Sequence, residues 1–212
     1  MKTTKLFLPV LFTLSLFLCS CDAVPTVNDP DLMSLQNMES NFSMNASEVS
    51  ISTNTITSAD SIGLLLMREE EKMARDVYSY FFDKYKLRIF NNIAKSEQVH
   101  TNAVLYLLKK FNITDPAYTE VGKFQDADLQ SLYTKFSSEA STINMALSTG
   151  AYIEEYDIAD LQKLIAETNN ADIKRVYSNL LRGSVNHLRA FTGVLSARKV
   201  VYKPTILSQE IY

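Results

Sequence analysis

From about residue 58 onward, apolar positions recur three or four residues apart, the period that puts side chains on one face of an α-helix. Four long segments carry the pattern, over residues 57–85, 89–111, 142–168 and 171–198. A shorter amphipathic run, 126–140, falls between the second and third. Ser58 or Asp60 is the expected N-cap of the first helix, and "NITDP" closes the second. No alternating strand pattern competes. The pattern predicts an all-α fold, a four-helix bundle with an extra short helix between helices two and three.

Each long stripe is broken at one level by polar residues. In the second helix the face runs Phe90, Ile93, Glu97, His100, Val104, Leu108, Phe111. In the first it runs Leu66, Glu70, Met73, Val77, Phe81, which makes Glu70 the inward carboxylate; a shift of one residue would make it Glu71. Arg75 stands four residues after Glu71, the spacing of an exposed ion pair. The third long helix runs Ile143, Leu147, Gly150, Glu154, Ile158, Leu161, with Asp157 at the edge of the same face. Gly150, one turn before Glu154, is expected to leave room beside the carboxylate. The fourth runs Val176, Leu180, Ser184, His187, Phe191, Val194, so both histidines of the protein fall on core faces. Several carboxylates cannot be buried without compensation. The phasing puts Lys95 and Arg189 off these faces, and a divalent metal would satisfy all the groups at once. Carboxylates and imidazoles on facing helices are the ligands of di-iron and di-manganese bundles.

Composition narrows the chemistry. The net charge is −3, with no basic patch of the kind that nucleic acid requires. With five glycines and five prolines, the chain suits long helices better than a turn-rich β fold. Both cysteines, Cys19 and Cys21, precede the helices. The helical part therefore has no disulfide, no cysteine-ligated zinc and no iron–sulfur cluster, and any metal there needs Glu, Asp, His or Tyr.

The first residues, "MKTTKLFLPVLFTLSLFLCSC", combine a positive start, a short apolar run and small residues before Cys21. They read as a secretion signal. The "LCSC" end resembles the lipobox of bacterial lipoproteins, which implies lipid on Cys21, a membrane anchor and a domain in the cell envelope outside the cytoplasm. The alternative is a plain cleaved signal. The expected organisation is a signal peptide over 1–20, a flexible tether over 21–57, the helical domain over 58–200 and a tail over 201–212. The tether is rich in Ser, Asn, Thr and Asp.

The stretches "MREEEKMARDVY", "NIAKSEQVHTNAV", "GAYIEEYDIADL" and "GSVNHLRAF", one per long helix, resemble the ferritin-like superfamily and, more closely, the DUF2202 family of bacteria and archaea. The superfamily pattern is Glu, then Glu-x-x-His, then Glu, then Glu-x-x-His. The resemblance implies metal ligands at Glu70, Glu97, His100, Glu154 and His187. The pattern is broken at Ser184, where it has Glu, so one bridging carboxylate is missing unless Asp157 or a water replaces it. The implied cofactor is iron, as a di-iron or mononuclear site, or manganese. The implied chemistry is oxidation of ferrous ion or reduction of peroxide, with no catalytic residue assigned. The cysteine-free domain argues against an attached rubredoxin module. A non-catalytic helical binding or envelope module with a degenerate metal site is the competing reading. A homodimer is compatible with either.

Overall fold

The first helix starts at a capping box. The Thr57 hydroxyl accepts from the Asp60 N–H at 3.0 Å, and the Asp60 carboxylate accepts from the Thr57 N–H at 2.9 Å. The cap is therefore Thr57, and Asp60 is its reciprocal partner rather than the cap itself. In the computed structural model, which describes residues 56–208, five helices follow: α1 (Ser58–Tyr85), α2 (Arg88–Lys110), α3 (Ala127–Glu139), α4 (Ile143–Glu167) and α5 (Ala171–Ala197). Asp126, Thr142 and Asn170 cap α3, α4 and α5 through their side chains. There is no strand among the described residues. The fold is the all-α bundle that the periodicity predicts, with the short helix in the expected place. The signal segment, Cys21 and the tether up to residue 55 lie outside the described residues, as do the last four residues of the tail. No helix among the described residues is long and apolar enough to cross a membrane.

Hydrogen bonds between distant residues give the topology. Helices α1 and α2 form one antiparallel hairpin, α4 and α5 another, and α1 packs on α4 while α2 packs on α5. The chain leaves α2 beside the start of α1, where Arg68 pairs with Asp115 at 2.9 Å. It arrives at α4 beside the end of α1, where Lys84 and Tyr85 both donate to the Ala140 carbonyl. The connection therefore climbs the length of the bundle, carrying α3. Because of that long crossover, α4 runs parallel to α2 and antiparallel to both its neighbours in the bundle.

The crossover covers the outer face of α1. Glu69 accepts the N–H groups of Gln125 and Asp126 at 2.7 and 2.8 Å. Lys72 donates to the carbonyls of Glu120 and Lys123 and to Asp76. As a result every residue from Met67 to Ala74 is buried, on all sides of the helix.

The core is in two apolar parts. One contains Leu64, Met67, Val104, Leu107, Leu161, Val176 and Leu180. The other contains Met73, Val77, Phe90, Ile93, Leu147, Leu188 and Phe191. Between them, on all four long helices, lies a layer of buried polar residues.

The described part of the tail packs on α4. The fully buried Glu155 carboxylate accepts the N–H groups of Thr205, Ile206 and Leu207 at 2.8–2.9 Å, and the Tyr202 hydroxyl donates to it as well.

Candidate metal centre

Glu97 is the hinge of the polar layer. Its Oε2 stands 2.8 Å from Nδ1 of His100, one turn further along α2. Its Oε1 stands 2.8 Å from Nδ1 of His187, on α5. One carboxylate thus faces two imidazoles, one oxygen to each. Glu71 of α1 joins the His100 side, with Oε2 at 3.2 Å from the ring. Glu154 of α4 joins the His187 side, with Oε2 at 3.5 Å. The two resulting sets, Glu71–Glu97–His100 and Glu97–Glu154–His187, are fully buried and share Glu97; within each, the ligand atoms lie within 4.8 Å of one another.

The α1 residue that meets His100 is therefore Glu71, not the expected Glu70. Glu71 makes no ion pair with Arg75, which binds Asp76 and Gln98 instead. The physical reason is the crossover. With α1 enclosed on every side, its stripe has no exposed edge to fix the phase. Glu70 is also buried, but it belongs to neither ligand set, and neither of its oxygens has a hydrogen-bond partner.

Asp157 sits against Ser184, the residue at which the expected Glu-x-x-His of the last helix is broken. The fully buried Ser184 hydroxyl donates to Asp157 Oδ2, while Oδ1 has no partner. The charges of Glu71, Glu154 and Glu97 all act on Asp157. An acid from α4 is thus held by a serine from α5.

Other residues fix these groups. Tyr78 donates to Glu154 Oε1 at 2.5 Å, and Ser96 stands 2.9 Å from Nε2 of His187, which leaves Nδ1 facing the carboxylates. Gly183 lets His100 into the layer, because a Cβ there would lie 2.5 Å from Nε2 of the ring. Gly150 does not leave room beside Glu154 as expected. The space is filled by the Phe191 ring, 2.7 Å from where a Cβ would be. Sequence reasoning held Glu71 only as the alternative to Glu70, and passed over Tyr78, Ser96 and Gly183. Tyr78 was findable, since it stands two turns after Glu71 and so on the same face.

The electrostatics are those of a site short of positive charge. Burial is the largest influence on every one of these groups. It raises Glu71 to about 8, with Glu97 adding to the rise and His100 opposing it. Burial and the charges of neighbouring acids hold Glu70 and Asp157 well above the ordinary carboxylate range. Burial also raises Glu154, and Glu97 adds to it. For Glu97, burial works upward but His187 and His100 outweigh it, so its carboxyl is lowered. For His187, burial works downward, yet Glu97 and Glu154 raise it to about 10. His100 is raised well above its usual value in the same way, by Glu71 and Glu97.

Two features fit this donor set to metal. First, the buried donors are not all satisfied by one another: Glu97 Oε1 and His187 Nδ1 meet at 2.8 Å as an ion pair but without the alignment of a hydrogen bond. Glu71 Oε1, His100 Nε2 and Asp157 Oδ1 are also without one. Second, the donors are oxygen and imidazole nitrogen, which suit iron and manganese.

Known proteins resemble this chain along most of its length. The family model described as "Uncharacterized protein domain (DUF2202)" matches residues 60–212. The chain is 48% identical over 159 residues to uncharacterized protein MJ0754 of the archaeon Methanocaldococcus jannaschii, over 74% of this chain and 86% of that protein. The crystal structure of hypothetical protein MJ0754 is similar with a TM-score of 0.72 and 47% identity, covering 74% of this chain and 90% of that one.

Proposed function

The chain belongs to the DUF2202 family, and we propose that it is a ferritin-like metalloprotein whose bundle holds a pair of iron or manganese ions. The carrying observation is Glu97, whose two oxygens face the two histidines at equal distance and so join two ligand sets into one centre. The single long crossover supports the ferritin-like reading, since that connection distinguishes such folds among four-helix bundles. Glu71, Glu97 and His100 would hold one ion, and Glu97, Glu154 and His187 the other. Asp157, steadied by Ser184, would be the further carboxylate available beside them.

Bound iron would supply one-electron redox chemistry toward oxygen or peroxide. The protein's own groups set the conditions for it. The apolar clusters above and below the layer exclude bulk water. Tyr78 and Ser96 orient Glu154 and His187. The raised carboxyls of Glu71 and Asp157 can hold protons that ion binding displaces. Ferrous ion or peroxide is the substrate this site fits best. At the other end of the chain, lipid on Cys21 would hold the domain at a membrane. In that case Cys21→Ser moves the protein from the membrane fraction to the soluble one, and persistence in the membrane fraction rejects the anchor.

The test of the centre is metal content and stability in protein purified without a His-tag. The wild type should take up about two iron or manganese ions per chain. At a free concentration a thousandfold above Kd, binding should stabilise the fold by about 4 kcal/mol. Glu97→Gln should lose both ions and the stabilisation together. A wild type that binds neither metal, with identical unfolding curves in chelator and in metal, leaves only the non-catalytic module.

A further inference from the structure

We propose that the open α2–α5 side of the bundle is a docking surface for anionic lipid headgroups, so that the domain lies on a membrane with α3 turned away from it. The choice of lipid as partner rests on the membrane reading of the N-terminal segment. The surface itself is made of described residues that the metal centre does not use.

The four long helices form a bundle whose sides differ. The crossover and α3 cover α1 and reach α4, so they close the α1–α4 side. The opposite side, where α2 and α5 lie together, stays open: Lys95 and Asn102 of α2 and Ser178, Arg182 and Arg189 of α5 are exposed along it.

Two rows of cations line this side. On α2, Arg88, Lys95, Asn102 and Lys109 recur every seven residues, and on α5, Arg175, Arg182 and Arg189 do the same. Seven residues are about two turns, so each row runs along one line of its helix in steps of about 10 Å. The two helices are antiparallel. Lys110 meets Asp172 at one end, Ser96 meets His187 in the middle, and the rings of Phe90 and Phe191 meet at the other end. Lys109 is therefore level with Arg175, and Lys95 with Arg189.

The fold does not neutralise these charges. The only acids in α2 and α5 are Glu97, buried in the centre, and Asp172. Asp172 takes Lys110 and Arg175 at one end of the face, where the charge of Lys109 also acts on Asp115. Arg182 and Arg189 donate to Asn179 and Asn186 of their own helix and, like Arg88 and Lys95, pair with no acid among the described residues. The α3 side mixes signs instead, with Glu120, Lys123, Asp128, Lys135 and Glu139 all exposed. The net charge of −3 conceals this contrast.

Unpaired cations gathered on one side attract anions across about 8 Å of physiological salt. At an anionic membrane each Lys or Arg near the surface adds to binding. A side two helices wide, with its charges in parallel rows, matches a plane of headgroups. The chain before the described residues enters at one end of this face, since Ile56 packs with Leu107, Leu108 and Ile173. Lipid on Cys21 would then hold the face within reach of the bilayer it fits.

The test reads the face directly. The full chain, with Cys19→Ser and Cys21→Ser so that no other thiol remains, carries a fluorophore on Ser178→Cys in the face or on Ser138→Cys in α3. Vesicles contain a quencher-bearing lipid in phosphatidylcholine, with phosphatidylglycerol either absent or at about one part in three. At physiological salt phosphatidylglycerol should quench the dye at 178 and leave the dye at 138 unchanged. Salt at about 1 M, which shortens screening to about 3 Å, should abolish that quenching. Lys95→Gln with Arg182→Gln and Arg189→Gln should reduce it to the level seen in phosphatidylcholine. Lys123→Gln with Lys135→Gln and Lys163→Gln, an equal loss of charge elsewhere on the surface, should keep it. No quenching at 178, equal quenching at both sites, or the same result in both triple variants overturns the face. Tighter binding of single-stranded RNA than of phosphatidylglycerol vesicles, compared per phosphate by the anisotropy of the same dye, overturns the lipid reading in favour of nucleic acid. The labelled chain has no thiol to carry lipid, so these results stand apart from the anchor, which fractionation of Cys21→Ser tests.

Discussion

Helix α1 buries charge on two faces, and the two faces are built differently. On the outer side, Lys72 lies 2.8 Å from Asp76, donates to two carbonyls of the crossover, and sits 4.3 Å from the centre of the Phe124 ring. Asp76 also accepts from Arg75 and from the Gly122 N–H. On the inner side, one or two residues away, Glu70 and Glu71 keep three oxygens without a hydrogen bond. Burial is equal on both sides. The difference is completion. The outer network satisfies its charges with protein groups and holds the crossover in place. The inner layer gathers five carboxylates, Glu70, Glu71, Glu97, Glu154 and Asp157, around two imidazoles. The two imidazoles can balance at most two of the five, and the buried Lys72 and Arg68 are both committed to the outer side. A completed network is a structural device, and an incomplete one at this density is built for a ligand.

The strongest way to break this contrast is Asp76→Ala. It would leave Lys72 buried without its counter-charge and the Gly122 N–H without its acceptor. Removing one partner of a buried pair costs about 3–5 kcal/mol. Urea unfolding in chelator should show that loss in full. The increment that metal adds to stability should remain, because the centre is on the other face. A loss below about 1 kcal/mol would mean that the outer network is not what secures the crossover.

The same contrast explains what could be read from sequence. Helix limits were legible to within a residue or two, since four amphipathic stripes each lie against the core. Glu97, His100, Glu154 and His187 were legible because each interrupts a clean stripe. Glu71 was legible only as the alternative to Glu70, for two reasons: it lies in a run of three glutamates, and α1 is covered on the side where a stripe would normally show an exposed edge. That cover comes from residues 111–126, which carry no helical period and gave no sign of where they would pack. The Thr57 cap was ambiguous because Thr57, Ser58 and Asp60 are all capping residues in one short run. Glu155, adjacent to Glu154, takes the tail as its partner, and a contact between residues 47 to 52 positions apart leaves no local trace.

A smaller effect sharpens the contrast inside the inner layer, at one of its completed contacts. Ser184→Ala removes the hydroxyl that orients Asp157 and leaves both of its oxygens unpartnered. One hydrogen bond to a charged group is worth about 1.5–3 kcal/mol. Titration should therefore show one of the two metal equivalents weakened about tenfold or more. Ser184→Glu alone would crowd a second carboxylate against Asp157. The exchange Asp157→Ser with Ser184→Glu, which moves the carboxylate from α4 to α5, should recover the lost affinity. Equal, unchanged binding in Ser184→Ala would show that Asp157 is not positioned by the serine.

The smallest effect concerns the sign of the pH response, where completed and incomplete acids should differ. Asp60 is a completed one. Burial works to raise its carboxyl, but hydrogen bonds from the Thr168 hydroxyl and from the N–H and hydroxyl of Thr57 outweigh it, so it is lowered. A group lowered on folding contributes stability that is present above its unfolded value, about 3.9. That stability is lost as pH falls through the folded value. Glu71 behaves in the opposite sense. Raised to about 8, it favours the folded metal-free chain when protonated, and that advantage declines as pH rises from the unfolded range to about 8. Asp60→Ala should therefore cost about 1 kcal/mol at neutral pH, the usual worth of a helix cap. The gap to wild type should narrow as pH falls below the unfolded value and through the lowered folded value of Asp60. Urea unfolding of both proteins in chelator, from neutral pH down to about pH 2, measures it. A gap that stays constant across that range would show that the Asp60 charge contributes nothing, and that its two helix ends are held by packing alone.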